Sequence, residues 1–189
     1  MGTTKKLNYL FYFAISLMFT SCCGGPITTN ITKIESIEII SDSIVLTDKN
    51  FEFDLNPIDT ILSTSVDDSD NCSEGEVHND PIHTVVNVQV YTLTSFSNQF
   101  LANSEINELI SVKFFNSDKD RIETIKLNEW LKYVNSRSTN KAKMAGFYNA
   151  STFTINQRPE IGLKQQFLFV FTLSDNTKLK TTSNVITWK

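Results

Sequence analysis

Alternation of apolar and polar residues is the feature that most restricts how this chain can fold. Four apolar residues occupy every second position near its end: Phe167, Phe169, Phe171 and Leu173. The same alternation occurs in Phe51–Leu55. Successive side chains of a β-strand point to opposite faces, so this spacing places the apolar set on one buried face. The chain therefore predicts half-buried strands that pack their apolar faces together.

Turn-forming residues separate further segments of this kind. Strands are predicted at Ile37–Leu46, Thr84–Leu93 and Ile110–Phe114. A return strand is predicted after the turn Ser174–Thr177, ending at Trp188. One face of Thr84–Leu93 is expected to carry three valines, Val86, Val88 and Val90.

Helical periodicity occurs at one place. Four apolar residues follow the i, i+3, i+4, i+7 pattern of a single short helix: Leu127, Trp130, Leu131 and Val134. A helical turn is also expected within Ser104–Leu109. About seven short strands with one helix in a connection predict a mainly β fold, an antiparallel immunoglobulin-like β-sandwich with one short helix.

The first residues carry a positive charge followed by an apolar run. Lys5 and Lys6 precede mostly apolar residues from Leu7 to Phe19, and small, turn-forming residues end the run. A transmembrane helix needs about 20 apolar residues, so this run is too short to span a bilayer. Its length and flanks are typical of a secretory signal peptide. The alternative, a buried N-terminal helix, leaves the positive flank unexplained.

The end of the run, "LMFTSC", resembles the lipobox of bacterial lipoproteins, in which a small residue precedes a cysteine that receives diacylglycerol. The resemblance covers the first two dozen residues. It implies a signal peptide over 1–21 and lipid attachment at Cys22, with Phe19 at the position where leucine is usual. Choosing Cys23 instead places Thr20 at that position, a poorer match.

The lipoprotein resemblance also implies a location. Two or three acyl chains, such as palmitate, hold a protein stably on a membrane. Cys23, not aspartate, follows Cys22, which favours the outer membrane, facing the periplasm or the cell surface. Residues 22–32 lack charge and periodicity and are expected to be a lipidated tether, with the β-sandwich over 33–189. The whole pattern resembles small lipoproteins of unknown function.

An acidic segment, Val66–Thr84, contains both histidines, His78 and His83. A calcium loop starting at Asp68 fails at its fifth, sixth and twelfth positions, because these are Cys72, Ser73 and Asn79. The spacing of Cys72, His78 and His83 matches no common zinc site. We therefore expect a solvated acidic loop, with no metal and no cofactor.

Cys23 and Cys72 are the two cysteines left once Cys22 is acylated. Exported proteins commonly oxidise such pairs, so a disulfide between Cys23 and Cys72 is one prediction. The alternative is that Cys23 only neighbours the lipobox and that both thiols stay free.

Catalytic motifs are not found in the sequence. It contains no G-x-S-x-G motif, and the carboxylate pairs Glu105 with Glu108 and Asp118 with Asp120 are expected to be exposed charges. Three aromatic residues offer a sugar-stacking platform or, as we favour, core packing: Trp130, Phe147 and Tyr148.

These features predict a lipid-anchored cell-envelope protein whose β domain is a binding or structural interaction module and not an enzyme. The alternative is an accessory envelope enzyme acting on glycans. The expected partners are the membrane, through the lipid anchor, and an envelope protein or a glycan. The net charge of −4 argues against nucleic acid.

Overall fold

The computed structural model describes residues 27–46, 50–67, 77–140, 142–144 and 151–189. The elements that lie within these ranges include the helix α1 (Leu127–Asn135), a 3-10 turn (Asn107–Leu109) and twelve strands. The strands are β1 (Ile27–Ser41), β2 (Ile44–Val45), β3 (Phe51–Asp67), β4 (Val77–Pro81), β5 (Val85–Thr92), β6 (Ile110–Asn116), β7 (Arg121–Lys126), β8 (Thr152–Ile155), β9 (Lys164–Gln165), β10 (Phe167–Leu173), β11 (Lys178–Thr182) and β12 (Ile186–Trp188).

The described strands form three sheets. One has six strands in the order β4-β1-β3-β8-β6-β7, and two have three strands each, β11-β10-β5 and β2-β12-β9. The prediction of a mainly β fold with one short helix is confirmed. The sheets are not purely antiparallel: β12 pairs with β2 in parallel, placing Trp188 opposite Val45, and the six-stranded sheet also contains parallel pairs. This parallel pair holds two buried side chains together, a contact between distant parts of the chain that local periodicity does not reveal.

The described residues belong to two compact units. The smaller contains 27–31, 63–67 and 77–79, and the larger contains the remaining described residues.

Aromatic rings form the core of the larger unit. Phe53 of β3 meets Phe169 of β10 edge to face, with ring centroids 5.1 Å apart, and Phe51 stacks on Phe167 at 5.8 Å. These four side chains are at most 3% exposed. The alternation that predicted strands at these positions therefore places the rings between the six-stranded sheet and the sheet of β10.

Helix α1 covers part of the same core. Its buried residues are the four that the sequence predicted, Leu127, Trp130, Leu131 and Val134. The Trp130 indole lies edge to face on Phe153 of β8, with centroids 5.1 Å apart. Trp130 is thus a core residue, as we favoured over a sugar platform.

Strand β5 differs from its prediction at one end. Val88 and Val90 are buried as expected, but Val86 is 37% exposed and its neighbour Val85 is fully buried. The pairing of β5 with β10 shifts register between Thr172 and Leu173, which turns Val85 inward.

The single return strand predicted after β10 is instead divided into two strands. The turn residues Ser174–Thr177 lead into β11, which pairs with β10 as expected. The chain then leaves this sheet at Thr182, and Trp188 belongs to β12 in another sheet.

In the smaller unit, three strand segments are joined by polar side chains. Thr64 Oγ1 donates to Asn30 Oδ1 at 2.9 Å, and Asn30 Nδ2 donates to Asn79 Oδ1 at 3.0 Å. Strand β1 begins at Ile27, inside the segment 22–32 for which a tether was expected. The β-branched residues Ile27, Thr28 and Thr29 favour the extended conformation, and Asn30 supplies the contacts that hold it.

Candidate functional site

Several residues singled out in the sequence lie outside the described ranges. They are the lipid-attachment residue Cys22, the two residues of the predicted disulfide, Cys23 and Cys72, the aromatic residues Phe147 and Tyr148, and residues 68–76 of the acidic segment. Their roles remain predictions.

His83, from the acidic segment, lies beside the turn between β10 and β11. Its Nε2 is 3.4 Å from Asp175 Oδ2, and its Nδ1 is 3.5 Å from Ser174 Oγ. Asp175 accepts hydrogen bonds from the backbone N–H and the hydroxyl of Thr177, at 2.9 and 2.8 Å. These bonds, and to a lesser extent the charge of His83, lower the pKa of Asp175 below its ordinary value.

The His83 cluster combines the residue types of a nucleophilic triad, but its contacts stabilise a turn. Ser174 Oγ accepts a hydrogen bond from the Thr84 backbone N–H at 3.3 Å, and Ser174 N–H donates to the Thr84 carbonyl at 2.9 Å. These bonds join the start of β5 to the β10–β11 turn. Sequence reasoning missed the cluster because Ser174 lies 91 residues from His83.

The carboxylates of the pairs Glu105 with Glu108 and Asp118 with Asp120 are all exposed, as expected. Glu105 accepts from Gln89 at 3.1 Å and Glu108 accepts from Gln99 at 3.3 Å, both at exposed positions. Asp118 Oδ1 pairs with Arg137 at 2.6 Å. Within the described part of the chain, no three His, Cys, Asp or Glu side chains form a group that could hold a metal ion.

A recess of about 520 Å³ lies beside β2 and the start of β3. Its lining combines two carboxylates with apolar residues and an amide: Asp42, Ile44, Val45, Leu46, Asn50, Phe51 and Glu52. Ile44 and Leu46 are about half exposed, at 50% and 52%. The recess thus places acidic groups next to accessible aliphatic surface.

The hairpin of β6 and β7 exposes an aromatic and an aliphatic side chain side by side. Phe115 and Ile122 are directly opposite each other in the antiparallel pair and are 58% and 65% exposed. We refer to these two residues as the hairpin patch. A cross-strand pair of this kind stabilises the hairpin, and its exposed area also leaves apolar surface open to a partner.

Polar contacts fix the hairpin that carries the patch. The Glu123 carboxylate accepts hydrogen bonds from Arg121, Asn116 and Lys119, at 2.6–3.2 Å. The bond from Arg121 contributes most, and together the donors lower the pKa of Glu123 to about 2. Arg137, just after α1, also pairs with Asp118 in the hairpin turn. Four side-chain contacts therefore hold the hairpin that carries the patch in place. Sequence reasoning missed this arrangement because no single motif contains all four contacts.

Comparison with known proteins gives no further assignment. No family model matches the chain, and neither a curated protein nor a solved structure is significantly similar to it. Within the described ranges, no helix has the length and apolar character needed to cross a membrane.

Proposed function

We propose that this protein is a lipid-anchored component of the bacterial cell envelope, held in the outer membrane through Cys22, and that its β domain is a binding or structural interaction module. The observation that carries the anchor is the leader ending in "LMFTSC". Strand β1 begins five residues beyond Cys22, so an anchor there directly adjoins a folded domain.

The anchor is tested by replacing the lipid-bearing thiol. Wild-type protein from a bacterial host is expected to enter the detergent phase of a phase-separating detergent and to show the mass of attached acyl chains. Cys22→Ala removes the only thiol at which this lipid is attached, so it is expected to stay in the aqueous phase. Cys23→Ala is the matched control and keeps the lipid. A Cys22→Ala protein with unchanged lipid mass contradicts the assignment.

The hairpin patch supports a binding role with a protein partner. Phe115 lies opposite the branched aliphatic Ile122 and not opposite a second flat ring, and this mixed apolar surface suits an apolar pocket of a protein. The bracing by Glu123 and Arg137 reduces the ordering that binding requires.

Site-specific photo-crosslinking in intact cells tests this role. A photoreactive amino acid at Phe115 is expected to form a discrete adduct with one envelope protein, identified by mass spectrometry. The same amino acid at Leu101, which is 57% exposed, is the control for random collisions. Equal, diffuse crosslinking from both positions contradicts a specific partner, and an adduct between two copies of this chain assigns the patch to self-association.

Two finer features belong to the same proposal. The immunoglobulin-like class is supported by two β layers that face each other across an aromatic core. The side of the outer membrane that the domain faces can be tested with protease added to whole cells. The protease cleaves a domain exposed at the cell surface and spares one that faces the periplasm.

The recess beside β2 favours a second candidate, an accessory enzyme acting on glycans. Asp42 and Glu52 both line it, and hydrolysis of a glycosidic bond uses two carboxylates. An enzyme of this kind is expected to release sugars from envelope glycans and to lose that activity in Asp42→Asn and in Glu52→Gln. Asp54→Asn, a substitution on the same face of β3, is the control. Equal activity in all three variants contradicts this candidate.

A further inference from the structure

The smaller unit carries two exposed valines, Val66 of β3 and Val77 of β4. They are 56% and 67% exposed, among the most exposed large apolar side chains described. The residues 68–76 that connect them lie outside the described ranges.

Side-chain contacts place both valines on one face. Thr64 and Asn79 both bond to Asn30, and residues two apart on a strand point to the same face, so Val66 and Val77 share the face of the Asn30 amide. Contacts between β3 and β1 run in opposite directions, Thr64 to Asn30 and Ser65 to Thr29. Contacts between β4 and β1 run in the same direction, Asn79 to Asn30 and Ile82 to Thr32. In this register Val66 and Val77 lie on either side of Thr28, which is two residues closer to the start of β1 than Asn30.

Chain length limits how far the start of β1, beside these valines, can lie from the lipid. Ile27 is the fifth residue after Cys22, and an extended chain covers at most about 18 Å over that length. The start of β1 is therefore always within about 18 Å of the lipidated residue, which holds any apolar group there at high effective concentration near the bilayer surface.

We propose that the Val66–Thr28–Val77 row docks on the surface of the bilayer in which the lipid of Cys22 is inserted. This inference rests on the proposed lipid anchor and adds the orientation of the smaller unit. Partly exposed aliphatic side chains gain from entering the interfacial layer, and the tether removes most of the cost of bringing them there. The protein has a formal net charge of −4, which favours a zwitterionic lipid surface over an anionic one.

Fluorescence quenching by lipid tests the docking. Lipidated protein is reconstituted in phosphatidylcholine vesicles whose acyl chains are brominated near the headgroup. The native Trp130 and Trp188 are at most 1% exposed and supply a constant background. In a Val77→Trp variant, the added indole is expected to be quenched at least about twofold more than in Leu101→Trp, because tryptophan placed at an interface remains there. Adding Val66→Asp to Val77→Trp is expected to reduce that quenching.

The outcomes separate the two claims. Equal quenching in Val77→Trp and Leu101→Trp, with lipid mass present on both proteins, overturns the docking and leaves the anchor intact. A protein without lipid mass that does not float with the vesicles overturns the anchor and the docking together.

Discussion

At the residue scale, the same side chain has opposite roles at two positions. Phe53 is 3% exposed and contacts three other rings, whereas Phe115 is 58% exposed on the hairpin patch. We expect Phe53→Ala to lower the free energy of unfolding by about 3–5 kcal/mol, because it leaves a cavity between the two β layers. Phe115→Ala is the matched control, with a change within about 0.5 kcal/mol. Chemical denaturation measures both, and equal losses contradict the assignment of Phe53 to the core.

A second residue-scale prediction concerns pH. The ionised form of Glu123 is stabilised in the folded protein, where its pKa is about 2 against an ordinary value of 4.5. Its contribution to stability is therefore fully present above about pH 4.5 and is lost as the pH falls toward 2. Glu123→Gln does not titrate, so the wild type is expected to be the more stable protein near neutral pH and to lose that advantage between these values.

Denaturant titrations of both proteins from pH 7 to pH 2 check this dependence. Arg121→Ala, which removes the strongest donor to Glu123, is expected to raise the pKa of this carboxyl in an NMR titration. A stability difference that does not vary with pH contradicts the role of the ionised carboxylate.

At the scale of elements, strand β5 is the outer strand of its sheet, yet its free edge is covered. The buried Asn107 side chain accepts from Val90 N–H at 2.9 Å and donates to the Val88 carbonyl at 2.8 Å, as a neighbouring strand does. Asn135 donates to the Val86 carbonyl at 2.9 Å. Covered edge groups cannot pair with another chain, which protects the sheet from aggregation.

Asn107→Ala is therefore expected to cost more than an ordinary polar substitution. It leaves the Val90 N–H and the Val88 carbonyl without this partner, which lowers the free energy of unfolding by about 2 kcal/mol or more. Asn128→Ala, at an exposed position of α1, is the control and changes it by about 0.5 kcal/mol or less. Faster amide exchange at Val90 in the Asn107→Ala protein supplies a local readout, and an unchanged exchange rate contradicts the edge-covering role.

Elements that are defined by residues close together in the sequence could be predicted from it. The four buried residues of α1 and the alternating rings of β10 follow from periodicity, since each repeats within a few residues. The inward turn of Val85 could not be predicted, because it depends on a register shift in β10 almost ninety residues away. The His83 cluster was missed for the same reason, because Ser174 lies 91 residues from His83. The contacts to Glu123 join residues at most seven apart, but neither periodicity nor a motif indicates that these side chains pair. The resemblance to a lipobox at Cys22 rests on contiguous residues, so the sequence alone supplies that prediction.

At the scale of the whole molecule, the smaller unit bears on the predicted disulfide. The bonded pair Asn30 and Asn79 is 49 residues apart, and Cys72 follows Cys23 by the same 49 residues. Each cysteine therefore precedes one asparagine of this pair by seven residues in the sequence. The segments that lead from the two cysteines to the Asn30–Asn79 hydrogen bond thus have equal length, which favours a disulfide between them.

We expect Cys23 and Cys72 to be joined in protein from an oxidising compartment. Closing a loop of about 50 residues restricts the unfolded chain and raises the free energy of unfolding by about 4 kcal/mol. Peptide mapping without reduction is expected to give one crosslinked peptide containing both residues. Cys23→Ser and Cys72→Ser are expected to lower stability equally, and the double variant no further, because either change alone opens the same bridge. Two freely alkylated thiols in the unreduced protein, or additive losses in the double variant, contradict the bridge.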